Sequence, residues 1–225
     1  AILLRGALEE PGKTAALVTP DRALAIRVSA HLRRWGIEAD DSAGQPLSAT
    51  PPGTLILTLA EAVAQRFAPA PLLALLKHPL VQQGEARLDW LDGVRKLDRA
   101  LRGPRPAEGL VGLSAYLKGG DARAIKIRVP ALEWWHTVMP MLAPLETAFT
   151  ARALDLGEAL AVLRETLATL SGDAAWQGAA GRAAAELFAR LERDAGLGPH
   201  DVSVEAVPAL LRMLMDDVSV RPADG

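Results

Sequence analysis

Apolar positions change their period along this chain. Ala15-Ala16-Leu17-Val18 is a short continuous apolar run and reads as a buried strand. Thr19-Pro20-Asp21 then predicts a helix start, with Thr19 as cap, Pro20 in the first turn where no N–H is needed, and Asp21 at the positive end. The helix is expected to run through Trp35. Leu24, Val28, Leu32 and Trp35 share one face of it, and Arg27, His31 and Arg34 share another. Gly36 closes it, and Ile37-Glu38-Ala39-Asp40 returns as a short strand. Strand, helix, strand is the βαβ unit of a parallel sheet. Thr50-Pro51-Pro52 starts a further helix carrying Leu55, Leu59 and Val63, which Pro69 and Pro71 separate from another at 72–77.

Beyond Pro79 the strand pattern fades and Ala and Leu take over. Gly and Pro punctuate helices expected at about 86–101, 107–117, 130–149, 156–170, 179–194 and 207–217. Between two of them, Ala124-Ile125-Lys126-Ile127-Arg128-Val129 alternates like a strand or an extended linker. The predicted fold class is therefore α/β followed by mostly α. Residues 1–80 form the α/β part and 81–225 a helical domain, with no internal repeat.

Composition narrows the chemistry. Twenty-five Lys and Arg against 27 Asp and Glu leave no net charge that demands a nucleic acid or an anionic membrane. The absence of cysteine excludes disulfides, thiolate metal sites and a cysteine nucleophile. No apolar run approaches the ~20 residues of a membrane span and no signal segment opens the chain, so a cytoplasmic, non-membrane protein is expected. The chain opens inside an amphipathic helix at Ala1-Ile2-Leu3-Leu4 and stops at Arg221-Pro222-Ala223-Asp224-Gly225, which reads as the interior of a longer protein.

Gly12-Lys13-Thr14 ends like a phosphate loop, but Ala7 stands where the first glycine belongs and the apolar run follows the motif instead of preceding it. A Pro11-Gly12 turn explains the same letters. Asp40-Asp41 reads as a solvated or capping pair rather than metal ligands, and Ser42 lacks a nucleophile elbow. His31, His78, His136 and His200 form no metal pattern. No catalytic and no metal residue is therefore assigned. Of Trp134-Trp135, one is expected in the core and its neighbour partly exposed between helices. Arg95, Lys96, Arg99 and Arg102 interleave with Asp89, Asp92 and Asp98 as a salt-bridged solvent face. The less neutralised Arg22, Arg27 and Arg34 are the candidates for nucleic-acid contact.

The stretch "ALVTPDRALAIRV…HLRRWGIEADDSAGQPL…TPPGTL…PAPLLALLKHPL" resembles the AddB subunits of bacterial AddAB helicase-nucleases in their alphaproteobacterial form, and weaker similarity continues through "LRGPRPAEGLVGL", "PLETAF" and "WQGAAGRAAAELFARL". The first stretch is also similar to the opening of the second RecA-like lobe of UvrD-type helicases. The resemblance implies a partial RecA-like βαβ unit up to about Leu80 followed by a helical insertion domain, within a complex that processes double-strand DNA breaks for recombination. It implies an AddA-like helicase-nuclease subunit and DNA as partners. The implied cofactors, ATP, magnesium and as a further option an iron–sulfur cluster, would belong to the parent complex and none to this segment. UvrD-type helicases carry an arginine on the first helix of this lobe. An ungapped match puts Ile26 there with Arg27 beside it, about a quarter turn away. The implied role is that of scaffold or DNA-contacting region rather than motor.

Overall fold

Thr50 begins the element around which the larger part of the protein is built. Its hydroxyl accepts a hydrogen bond from Gly53 N (3.2 Å), Pro51 and Pro52 occupy the first turn, and the helix Pro51–Ala64 follows. The computed structural model describes residues 1–40, 44–150, 154–198 and 202–221. They divide into two compact units, 1–43 and 44–225. The first carries α1 (Ile2–Leu8) and α2 (Arg22–Arg33). The second carries β1 (Gln45–Pro46), α3 (Pro51–Ala64), α4 (Pro69–Lys77), α5 (Arg87–Ala100), α6 (Gly109–Lys118), α7 (Ala122–Thr150), α8 (Leu156–Ser171), α9 (Gly178–Asp194), α10 (Val207–Asp216) and β2 (Ser219–Val220). The protein is mostly helical.

In the first unit the helix expected from Thr19 starts two residues later. Asp21 is the cap, accepting from Leu24 N (3.1 Å), while the Thr19 hydroxyl accepts from Asp21 N (3.0 Å). The two acceptors take different amides, and the carboxylate sits where the positive helix end favours its charge. Gly36 ends the helix as expected, in the left-handed region at φ 71°, with Ile37 N closing on Leu32 O. Residues 15–18 and 37–40 run without helix, and among the described residues of this unit none is assigned to a strand. Both segments line one groove of about 570 Å³ with Ala25, Val28 and Leu32 of α2.

The second unit is a helical body, and α3 lies inside it. Nine of its residues, including Leu55, Ile56, Leu59, Ala60 and Val63, are buried and cover most of its circumference. Only a half-buried strip of Thr54, Thr58 and Glu61 remains, so the helix is surrounded on its other sides. It packs on α4, α7, α8, α9 and α10. Its ends are tied by a two-strand antiparallel ladder in which Gln45 pairs with Val220 and Pro46 with Ser219.

The run 124–129, expected as a strand or linker, is helical and continuous with the helix after it. Asp121 caps the Ala122–Thr150 helix through Ala124 N (2.8 Å) directly after the Gly119-Gly120 break. The helix then absorbs Pro130, Pro140 and Pro144. Its buried positions Ala131, Trp135, Val138, Leu142, Leu145 and Phe149 lie on one stripe, and the three exposed prolines sit about 140° away around the axis. Carbonyls freed by proline there reach water, and a proline kink bends the helix toward its packed side.

Of the tryptophan pair, Trp135 is fully buried with Nε1 donating to Ser114 Oγ (2.9 Å). Trp134 is half-buried and packs edge-on against Trp90 at 5.1 Å. It lies so close to Gly93 that a Cβ there would meet the indole at 2.2 Å. Gly93→Ala gains about 1 kcal/mol of helix propensity but overpacks this contact by up to about 3 kcal/mol. We expect a net loss of about 1 to 2 kcal/mol in urea unfolding; a raised midpoint would show that Trp134 is not wedged.

Arg66 and Phe67 follow α3 with φ of 49° and 54°. Phe67, 3 % exposed, anchors this left-handed turn, and its N–H closes on Ala62 O at 2.7 Å. Arg66 offers only an exposed 3.5 Å pair with Glu108 in return for its strained backbone. Arg66→Gly should raise stability by about 0.5 to 1 kcal/mol in the same assay.

Candidate nucleic-acid interface

The three arginines singled out from the sequence all lie on α2 or its end, but they do not converge. Arg27 and Arg34 lie about 20° apart around the axis, both exposed, whereas Arg22 lies about 140° from Arg27. Arg22 is half-buried and engaged within the protein. His31 joins the Arg27 and Arg34 face, as its spacing predicts. Its ring lies 6.5 Å from that of Trp35, and the Arg5 guanidinium covers the same indole at 5.1 Å. This end of α2 is thus a small cationic surface built on a half-exposed aromatic ring. Ile26, at the position matched to the helicase arginine, is 57 % exposed.

Lys13 sits in the turn that follows α1. Its N–H donates to Glu10 O (3.2 Å), its ammonium pairs with the Glu10 carboxylate, and Gly12 takes φ 80°. The Lys13 amide therefore closes a turn and Gly12-Lys13-Thr14 opens no helix, so the geometry of a phosphate loop is not formed there. Asp40 is exposed; Asp41, Ser42 and His200 lie outside the described residues. Among the described residues no cluster of three or more His, Cys, Asp or Glu could hold a metal.

The interleaved charges on α5 resolve unevenly. Lys96 pairs with Asp92 at 2.8 Å, and this hydrogen bond, reinforced by the ammonium's charge, holds the Asp92 carboxyl below its ordinary range. Asp98 is taken by Lys77 from α4 (3.0 Å) and reaches Arg102 only at 3.8 Å. Among the described residues Arg95 and Arg99 form no ion pair, and their charges reach Asp92 only from a distance. The salt-bridged face expected from the spacing accounts for Lys96 and, at longer range, for Arg102.

One further polar cluster escaped sequence reading. At the end of α4, His78 Nδ1 accepts from Leu80 N (3.2 Å), so Nε2 carries the proton and donates to Thr54 Oγ1 at 3.1 Å. The Thr54 hydroxyl in turn donates to Pro51 O (2.9 Å). Arg87 stands beside them, donating to Val81 O (2.5 Å) and Lys77 O (2.9 Å). The cluster ties α3, the end of α4 and α5 together. The nearby groove of about 760 Å³ between α3, α4 and α10 is lined by Thr58, Glu61, Arg212 and Asp216, with Asp216 hydrogen-bonded to Ser48.

With this geometry in place, the class of protein is a mostly helical one, and among the described residues no helix is long and apolar enough to cross a membrane. No family model, curated protein or solved structure matches the chain.

Burial and the Arg87 charge both lower the His78 pKa from its ordinary 6.5. The unfolded chain then binds the proton more readily than the fold does. Stability should rise with pH through the window below about 6.5 and level off above it. We expect urea midpoints to fall on acidification through that window and His78→Gln to flatten the dependence; an unchanged slope in the variant would remove His78 as its source.

Proposed function

We propose that this chain is part of an AddB-type subunit of an ATP-dependent helicase-nuclease that processes double-strand DNA breaks for homologous recombination. Within it the chain acts as scaffold and as a surface for DNA or for an AddA-like subunit. Residues 1–40 are read as the opening of a RecA-like lobe and the helical body as its insertion. This reading makes the protein cytoplasmic.

The observation that carries the proposal is the order of elements in the stretch that bears the resemblance. An extended segment at 15–18, a helix closed by Gly36 and a second extended segment at 37–40 follow one another, and both segments line the same groove against α2. In a RecA-like lobe those segments would be neighbouring parallel strands, paired through sheet partners supplied by the rest of the lobe. The turn geometry at Lys13 supports a scaffold over a motor, because the Lys13 amide is spent on closing the chain reversal after α1.

A second reading, a helical adaptor without DNA binding, is favoured by the continuous core of the 44–225 unit, which needs no further lobe to bury α3. The two readings differ in what binds.

We expect the isolated chain to show no ATP turnover, with or without DNA, and to be captured by a purified AddA-type subunit in size-exclusion chromatography. Hydrolysis abolished by Lys13→Ala would overturn the scaffold role. Failure of capture would overturn the family reading and leave the adaptor.

A further inference from the structure

Charge is spread unevenly over this nearly neutral chain. Between positions 95 and 128, nine Lys and Arg face only three carboxylates, Asp98, Glu108 and Asp121. The fold gathers the centre of this excess into one cleft of about 270 Å³, where the end of α5 and the following turn meet the first turns of α7. Arg99, Arg102, Arg123 and Arg128 line it, with Asp121 as the only carboxylate among its lining residues.

The carboxylates nearby are already committed. Asp121 Oδ1 caps α7 through Ala124 N, and Asp98 is held by Lys77. Among the described residues Arg99 and Arg123 are exposed and form no ion pair, Arg99 acting on Asp92 only through its charge, and Arg102 has only its distant Asp98. Arg128 is different because it is fixed in place. Its guanidinium lies 3.7 Å from the Tyr116 ring centroid and its Nη1 donates to Tyr116 O (3.0 Å) and Gly119 O (2.8 Å). Nε and Nη2 are left without a protein acceptor among the described residues. A positioned guanidinium flanked by unpaired ones costs self-repulsion that an anion relieves.

We infer that this cleft binds the phosphates of a nucleic-acid backbone. Arginine forks match phosphate oxygens two at a time, and every cation lining the cleft is an arginine. The surplus also extends past the cleft, through Lys96, Arg105, Lys118 and Lys126, all exposed, which suits a polymer of phosphates better than one small anion. The choice of a nucleic acid among polyanions rests on the function proposed above; the site itself rests on the charge and geometry. Contacts of this kind position a strand without reading its sequence.

The test is fluorescence anisotropy of the 225-residue chain with labelled single-stranded and duplex DNA across a salt series. The double variant Arg99→Gln/Arg123→Gln changes two exposed side chains and leaves the Arg128 anchor intact, and its circular dichroism should match the parent's. Each phosphate contact contributes a slope of about 0.7 to 0.9 in log K against log salt. The variant should bind roughly tenfold or more weakly, with a slope shallower by up to about 2. The variant Arg190→Gln/Arg193→Gln on α9, which removes two exposed arginines elsewhere on the same unit, should bind like the parent. Affinity and slope unchanged in the Arg99/Arg123 variant, or an equal loss in the Arg190/Arg193 variant, would overturn the cleft while leaving the proposed function standing. No DNA binding by the parent at low salt, or equal displacement by inorganic phosphate, would also overturn it. Capture by the AddA-type subunit fails or succeeds separately, so the two readings can fall independently.

Discussion

Everything in the larger unit depends on how little polar surface α3 carries. Its buried positions from Pro52 to Val63 cover roughly 220° of the circumference and leave only a half-buried strip of Thr54, Thr58 and Glu61, and each large apolar side chain left exposed would cost about 1.5 to 3 kcal/mol of burial. It therefore dictates that helices close in around all but that strip. The sequence order explains who does: α4 follows through a tight left-handed turn anchored by Phe67, and α7, α8, α9 and α10 return to it from further along the chain. The ladder joining Gln45-Pro46 to Ser219-Val220 then needs only two residues per strand, since the helices between have already brought its ends together. Gly53 marks how tight that closure is. A Cβ there would sit 1.8 Å from Leu47 O, so the backbone of the preceding 3₁₀ turn touches α3 directly.

The second long-range constraint is α7. At 29 residues it spans about 44 Å and carries α5 and α6 on the flank that α8 and α3 do not use. Three prolines would end most helices. This one survives because each occupies the solvent stripe, where a lost donor and a freed carbonyl are repaired by water, while the apolar stripe opposite is continuous from Ala131 to Phe149. Tertiary burial decides the conformation over local propensity.

Much of the helical body was legible in the sequence, and the reason is punctuation. Thr50 and Gly36 act where capping chemistry says they should, and the helices expected at 86–101, 156–170 and 179–194 appear as Arg87–Ala100, Leu156–Ser171 and Gly178–Asp194. The fate of Trp134 and Trp135 was legible too, because adjacent residues on a helix lie 100° apart and cannot share a surface. The start of α7 was not legible. Ile125, Ile127 and Val129 alternate, but each is about 40 % exposed, so their period reports no buried sheet face. Pairing of the 15–18 and 37–40 segments was equally beyond reach. A strand is defined by a partner's hydrogen bonds, and an apolar run such as Ala15 to Val18 states only a willingness to be covered. Val18 at 95 % exposed keeps that willingness unspent within the described residues.

The candidate sites show the same division between local and non-local information. Interleaved Asp and Lys or Arg on α5 is a valid sign of i,i+4 pairing, and Asp92 with Lys96 obeys it. Asp98 pairs most closely outside its own helix, with Lys77 of α4 at 3.0 Å, while Arg102 along α5 reaches its other oxygen only at 3.8 Å. One non-local ammonium thus takes up most of the negative charge that this helix end offers. Arg99, adjacent to Asp98 and so on a different side of the helix, forms no ion pair among the described residues and lines a cleft whose other walls come largely from residues more than twenty positions later, where the interleaved pattern becomes a concentration of positive charge. The cation excess between 95 and 128 was countable from the start. What the count lacked was the knowledge of which carboxylates were already spent on a helix cap and on a neighbouring helix, and that is decided by packing around α3 and α7 rather than by spacing.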